Sequence, residues 1–396
     1  MAQLVPDRRA FLRAAALATG TVAFGGSLWR EAVAGTAVAG ATRYGPLQPA
    51  DRNGLELPRG FDSRVVARSG QRVAGSAYSW HPAPDGGACF AAPGGGWIYV
   101  SNSEVVPGGG AGALRFAAGG AVVGGYRILS GTRANCAGGA TPWGRWLSCE
   151  EVDRGYVWDT DPTGASGAVR RDAMGRFKHE AAAVDPDRRV VYLTEDEPDG
   201  CFYRFRASRW PDLGAGTLEV LTGAGTWAPV PDPSGVRTPT RNQVASARRF
   251  RGGEGCWYAR GSCWFTTKGD NRVWRYDAGE GGLSLTYDDD AAPGAPLTGV
   301  DNIVGNAEGE LFVAEDGGNM EICVITQHGR VAPFLRVVGH PRSEVTGPAF
   351  SPDGSRLYFS SQRGAGGTSA TGITYEVRGP FRPRVSLPGP WKRIGH

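Results

Sequence analysis

The chain has 396 residues and a formal charge of +4, carried mostly by scattered arginines. That balance gives no reason to expect nucleic acid as a partner and offers no polybasic patch for a membrane surface. Its 62 glycines are roughly twice the usual share, and its 12 tryptophans are abundant, as expected of many short strands joined by tight turns.

The N-terminus carries Asp7-Arg8-Arg9-Ala10-Phe11-Leu12-Arg13, a twin arginine followed by an apolar Phe-Leu. An Ala/Leu/Thr/Gly-rich stretch follows over residues 14–28, with small-residue cleavage patterns at Ala32-Val33-Ala34 and Ala37-Val38-Ala39. The apolar run is too short for a comfortable span of about 20 residues, so no stable membrane span is expected after cleavage. Residues 1–40 are expected to be a twin-arginine signal peptide and short leader, read by the twin-arginine translocase. The protein would then be periplasmic, cell-surface or secreted. Residues 41–396 are expected to form one domain, and without residues 1–34 the formal charge is +2.

After an irregular stretch over residues 44–60, residues 61–67 read as a first strand able to pair with the last repeat and close a ring. Six apolar stretches then share one design, a strand ending in a small or polar residue and often in a carboxylate. Trp97-Ile98-Tyr99-Val100-Ser101-Asn102 precedes Glu104. Trp146-Leu147-Ser148-Cys149 runs into Glu150 and Glu151, and Val191-Tyr192-Leu193-Thr194 into Glu195 and Asp196. Trp264-Phe265-Thr266-Thr267 leads to Asp270, Leu311-Phe312-Val313-Ala314 to Glu315 and Asp316, and Leu357-Tyr358-Phe359-Ser360 to Gln362. The steps are about 45–48 residues, one of them longer by roughly 28, which is the spacing of propeller blades. The turns Asp185-Pro186-Asp187, Ala307-Glu308-Gly309 and Ser351-Pro352-Asp353-Gly354 recur at equivalent places. The long step is read as a surface insertion near residues 205–245. The Pro-, Arg- and Lys-rich stretch from Pro380 is read as a mobile tail. The fold expected is all-β, a six-bladed β-propeller with a metal site in its central channel, because acids from equivalent strands gather there and cannot share a small space without cations.

A second set of acids lies shortly before the repeat strands: Glu180 beside His179, Glu254 in Gly253-Glu254-Gly255, and Asp301 before Asn302. The densest segment runs from Asn135-Cys136-Ala137-Gly138-Gly139 through Thr141-Pro142-Trp143-Gly144 to Glu150-Glu151. It joins a thiol, which favours iron or zinc, to carboxylates, which favour calcium, magnesium or manganese. A buried structural thiol is the competing reading of Cys136. Seven cysteines is an odd count. Cys256 and Cys263 flank a hairpin turn, either as an exported disulfide or as two buried small residues.

These segments, with Val345-Thr346-Gly347-Pro348-Ala349-Phe350 before the last turn, resemble the PhoX family of alkaline phosphatases over most of the chain. The resemblance implies a six-bladed propeller holding Ca2+ and Fe3+ and hydrolysing phosphate monoesters. Carried over, Cys136 is the iron-binding thiolate, and Glu150 or Glu151, Glu180 and Glu254 are carboxylate ligands. By ring position Glu104, Glu195, Asp301 and Glu315 are candidate calcium ligands. Glu254 and Arg251 are the candidate catalytic residues. Many members carry an Arg two residues before the Glu of the Glu-Gly pair; that position here is Gly252, with Arg251 next to it. Two alternatives stand beside the phosphomonoesterase: a calcium-dependent propeller hydrolase of another ester such as a lactone, and a non-catalytic cell-envelope binding propeller.

Overall fold

The computed structural model describes residues 36–291, 294 and 296–381. The twin-arginine segment and the tail beyond Phe381 lie outside the described residues.

Strand and tight turn alternate along the chain and build six antiparallel sheets of at least four strands each. In every blade the first strand lies innermost. The inner strands are Pro84–Ala91, Asn135–Ala140, His179–Asp185, Gly253–Ala259, Val300–Gly305 and Val345–Phe350, in blades one to six. The second strands are Trp97–Ser103, Trp146–Glu150, Val190–Glu195, Ser262–Thr267, Leu311–Glu315 and Arg356–Ser361, the six apolar stretches of the repeat. Their Trp, Tyr, Phe, Val and Ile suit a buried pleated surface.

The ring closes as the sequence suggests. Ile373–Arg378 of blade six pairs antiparallel with Asp62–Arg68, so the sixth sheet takes its outer strand from the start of the chain. Arg64 Nη2 meets Glu376 Oε2 at 2.7 Å across this seam. Between blades five and six, Phe312, Phe334, Phe350 and Phe381 pack edge to face with Tyr44 and Phe61. Each fully buried ring of this kind contributes on the order of 1.5–3 kcal/mol.

Two expectations are refined. Residues just before and after position 40 are woven into blade five. Val38–Ala39 pairs parallel with Arg330 and Val331, the Ala37 side chain is buried, and Leu55–Glu56 pairs with Val337 and Arg336. The stretch from residue 205 begins inside blade three, because Gly200–Arg209 and Asp212–Leu221 are its third and fourth strands. The extra length of the long step lies after Leu221, in a short strand, Trp227–Pro229, and the loop leading to blade four. Cys256 and Cys263 are both buried free thiols with their sulfurs 3.3 Å apart.

All six inner strands carry a β-bulge just after they enter the sheet, one residue later in blade six than in the others. There the backbones converge on the axis and admit only small residues. A Cβ at Gly86 would stand 2.5 Å from the Ala137 Cα, and one at Gly255 2.6 Å from the Ile303 nitrogen. This narrow waist divides the channel. Beyond it the inner strands line a cavity of about 500 Å³, mostly apolar, with Trp146, Val184, Trp257 and Phe350 on its walls. On the other side lies the acidic end. Among the described residues no helix is long and apolar enough to cross a membrane.

Candidate active site

The bulge in each inner strand turns one side chain toward the channel. The six equivalent residues are Asp85, Cys136, Glu180, Glu254, Asp301 and Thr346, and all are buried. A second ring follows from a repeated backbone bond. The residue just after each second strand donates its N–H to the carbonyl two residues before the inner-strand position: Glu104 to Ala83, Glu151 to Ala134, Asp196 to Lys178, Lys268 to Gly252, Asp316 to Gly299 and Gln362 to Glu344. Most of this ring is part-exposed, so it faces the mouth.

The two rings interlock. Asp85, Glu104 and Cys136 bring ligand atoms within 4.8 Å of one another, as do Cys136, Glu151 and Glu180, and again Glu180, Glu254 and Asp301. Cys136 and Glu180 each belong to two triads, and the Cys136 thiol donates to Glu180 Oε1 at 3.3 Å. At one edge Gln362 Nε2 donates to Asp85 Oδ2 at 2.5 Å and Glu104 Oε2 at 2.6 Å. Asn102 orients the thiol strand by donating to the carbonyls of Cys136 and Ala137, at 3.1 and 2.7 Å.

The charge does not balance within the protein. Nine carboxylates meet here: the four of the inner ring, the four of the outer ring, and Glu344. The basic groups paired with them are Lys178 (3.0 Å from Glu151, 2.6 Å from Asp196), Lys268 (3.0 Å from Glu254, 3.2 Å from Asp316) and Arg363 (2.9 Å from Glu344). Burial, then repulsion from neighbouring acids, pushes Asp85, Glu180, Glu254 and Glu344 well above the usual carboxylate range. Burial likewise raises Asp301 to about 7 and Glu151 to about 8, and lifts the Cys136 thiol. Asp196 and Asp316 stay below the usual value, because hydrogen bonds and the Lys178 and Lys268 ammoniums outweigh burial. Glu180 Oε2 is buried without a hydrogen-bond partner. An oxygen buried so, beside a thiol and further acids, fits a cation.

The structure separates the sequence-predicted residues into two groups. Glu104, Cys136, Glu151, Glu180, Glu254 and Asp301 come together. Glu150, Glu195 and Glu315 do not join them; Glu315 lies instead in a separate buried group with Glu321 and Cys323, whose ligand atoms are also within 4.8 Å of one another. The reason is simple. Side chains alternate faces along a strand, so in each Glu-Glu or Glu-Asp pair the first acid turns into the blade and only the second faces the channel. Glu150 accepts the N–H groups of Arg133 and Tyr156, at 3.1 and 3.0 Å. Glu195 accepts from Cys201 N–H and the Tyr203 hydroxyl and pairs with Arg241. Glu315 accepts from the Thr298 and Glu321 N–H groups. His179 also faces the blade, packed on Phe177 with Nε2 3.1 Å from the Gly175 carbonyl, and burial holds its pKa near about 3. Arg251 is exposed on the loop entering blade four and makes no ion pair among the described residues.

Sequence reasoning did not name Asp85, Asp196, Asp316, Glu344, Lys178, Lys268 or Arg363 as site residues. Asp85 was within reach, because Asp85-Gly86-Gly87 opens the first inner strand as Glu254-Gly255 opens the fourth. The basic residues carry no such signal, since only the folded ring sets them against acids.

A propeller whose channel gathers overlapping carboxylate and thiol triads is a scaffold for metal-dependent hydrolysis. The chain matches the profile of the family described as alkaline phosphatase PhoX, over residues 105–159 and 152–364. It belongs to this family of metal-dependent phosphomonoesterases. Among solved structures it is similar to PhoX of Pseudomonas fluorescens in complex with vanadate, a transition state analogue, with 18% identity and a TM-score of 0.66 over 84% of this chain and 97% of that one. It is also similar to a protein of unknown function from Bacteroides thetaiotaomicron, with 8% identity and a TM-score of 0.51 over 80% of this chain and 76% of that one. No curated protein sequence matches it.

Proposed function

We propose that this phosphomonoesterase is exported by the twin-arginine route and works with calcium and iron held in the acidic end of its channel. The observation that carries the reading is the chain of three triads linked through Cys136 and Glu180, with Glu180 Oε2 buried and unpartnered. Cys136 with Glu151 and Glu180 supplies the thiolate-containing set that suits iron, and Glu180, Glu254 and Asp301 supply an all-oxygen set that suits calcium. Asp85 and Glu104, tied by Gln362, complete the ring on the other side of the thiol. Bound metals would neutralise charge building on the phosphoryl oxygens and activate water.

The chain's own groups do the rest. The waist leaves a cavity of about 40 Å³, too small for an ester to pass, so an ester enters from the acidic mouth. Lys178, Lys268 and Arg363 place fixed positive charge around that mouth and offset the acids that would repel a phosphate dianion. Arg251, solvated on the rim, can meet the ester as it enters. Gln362 and Asn102 hold Asp85, Glu104 and the Cys136 strand in place, so little reorganisation accompanies binding. Cleavage at the small-residue pattern Ala32-Val33-Ala34 would remove the twin-arginine segment on export, placing the enzyme in a periplasm, on a cell surface or outside.

The test is hydrolysis of p-nitrophenyl phosphate by exported protein supplied with calcium and iron, then treated with chelator. Turnover that chelator removes and metals restore is the expected result. Protein that carries both metals but releases no phosphate would overturn the proposal.

A further inference from the structure

We infer that Lys268 is a phosphate-binding residue, and that blade four's place in the outer ring is given to substrate while other blades give theirs to metal. The inference rests on the phosphomonoesterase reading and deepens it. The outer ring reads Glu104, Glu151, Asp196, Lys268, Asp316 and Gln362 around the channel, five potential oxygen donors and one ammonium. A lysine at that place repels a cation, so the sector above Glu254 is closed to a metal held from the outer ring.

The ammonium itself is only partly committed. It carries three N–H donors and meets two carboxylates, Glu254 Oε1 at 3.0 Å and Asp316 Oδ2 at 3.2 Å. One donor is left for an incoming oxygen. Its side chain is 36% exposed, so a solute can reach it. Lys178 also touches a triad member, Glu151, but it lies outside the outer ring, whose place in its blade is held by Asp196. Lys268 itself occupies a place of the outer ring and touches Glu254 of the inner ring, within a metal-ligating triad. An oxygen bonded to Lys268 therefore lies beside that triad.

Gly252, Gly253 and Gly269 surround the Lys268 backbone, and Gly252 has a φ of 68°, a conformation that disfavours a side chain. A Cβ there would stand 3.1 Å from Asp196 Oδ1 and 3.9 Å from Glu254 Oε1, directly over the inner acid. An ammonium at this point suits a phosphomonoester dianion better than a diester monoanion.

The experiment compares wild type, Lys268→Met and Lys268→Arg, each loaded with calcium and iron. Metal content is measured by plasma emission, binding of inorganic phosphate by calorimetry, and kcat and KM with p-nitrophenyl phosphate. In Lys268→Met, phosphate binding is expected to weaken about tenfold to a hundredfold, the loss expected of one charge-assisted hydrogen bond, with KM rising and metal content unchanged. Lys268→Arg restores most of the affinity. Unchanged phosphate affinity in Lys268→Met, or an extra bound cation, would show that Lys268 merely balances Glu254 and Asp316 and would overturn the inference. The calorimetric arm reads phosphate directly, so absence of turnover in wild type counts against the hydrolase reading alone.

Discussion

Two sets of acids stand one residue apart at the ends of the second strands, and they have opposite parts. Glu150, Glu195 and Glu315 turn into their blades and cap backbone N–H groups. Glu151, Asp196 and Asp316 face the channel and meet other acids and lysines. The blade-facing acids have local donors at hand, although burial still raises Glu195 to about 7 and Glu315, beside Glu321 and Cys323, to about 8. The channel-facing acids crowd one another, with nine carboxylates against three basic groups, and the fold holds them together at a cost. Burial alone therefore does not mark a ligand. What distinguishes the channel set is that acids from several blades crowd one another there, with Glu180 Oε2 left without a donor.

The largest expected effect comes from Cys136, one of the two residues shared by two triads. Cys136→Ala removes the only thiol of the ring. Iron content should fall to background and kcat/KM should fall by more than about a hundredfold, since even partners outside the ligand set typically cost about 10–100-fold. Retained iron with retained turnover would erase the distinction between channel and blade residues.

Metal withdrawal comes next, and its pH dependence has a definite sign. In the metal-free chain burial raises Asp301 to about 7 and Glu151 to about 8, from unfolded values of 3.8 and 4.5. Groups raised in the fold stabilise it fully below their unfolded values, and that contribution is lost as pH rises through the folded ones. The Tm of chelated protein should therefore fall as pH rises from about 3.8 to about 8. Metals favour the ionised acids, so the gap in Tm between loaded and chelated protein should widen over the same window. At a free metal concentration about a hundred times Kd the loaded form gains about 2.7 kcal/mol. A gap that narrows with rising pH would mean that the channel acids are not the ligands.

The smallest effect separates the neighbours directly. Glu150→Gln should lose about 1–3 kcal/mol of stability in chemical denaturation, as caps to the Arg133 and Tyr156 N–H groups weaken, with calcium and iron content unchanged. Glu151→Gln should do the reverse, lowering metal content while stability of the chelated protein holds or rises. If both variants lose metal equally, alternation along the strand does not sort these acids.

Much of this was legible in the residues. The blade-length spacing, the recurring turns before the second strands and the first strand over residues 61–67 together gave the propeller and its closure. Cys136, Glu180, Glu254 and Asp301 stood out because each lies shortly before or within a repeat. The pairs Glu150-Glu151, Glu195-Asp196 and Glu315-Asp316 gave the place but not the face. A run of two acids contains both orientations, and the choice depends on the register of the pairing at Asn135↔Glu150, His179↔Glu195 and Val300↔Glu315.

The sequence by itself determined the repeat, hence the fold, and that acids and one thiol would meet on the axis, because periodicity along a chain becomes symmetry once blades are stacked. Only the tertiary structure decided which acids meet. The bulge in each inner strand rotates a single side chain to the axis, and pairing with the second strand sets the neighbour above it. Lys268, Lys178 and Arg363 became part of the site in the same way. Their chemistry depends on distances of about 3 Å to acids on other strands and other blades, and electrostatic energy is fixed by separation in space rather than along the chain.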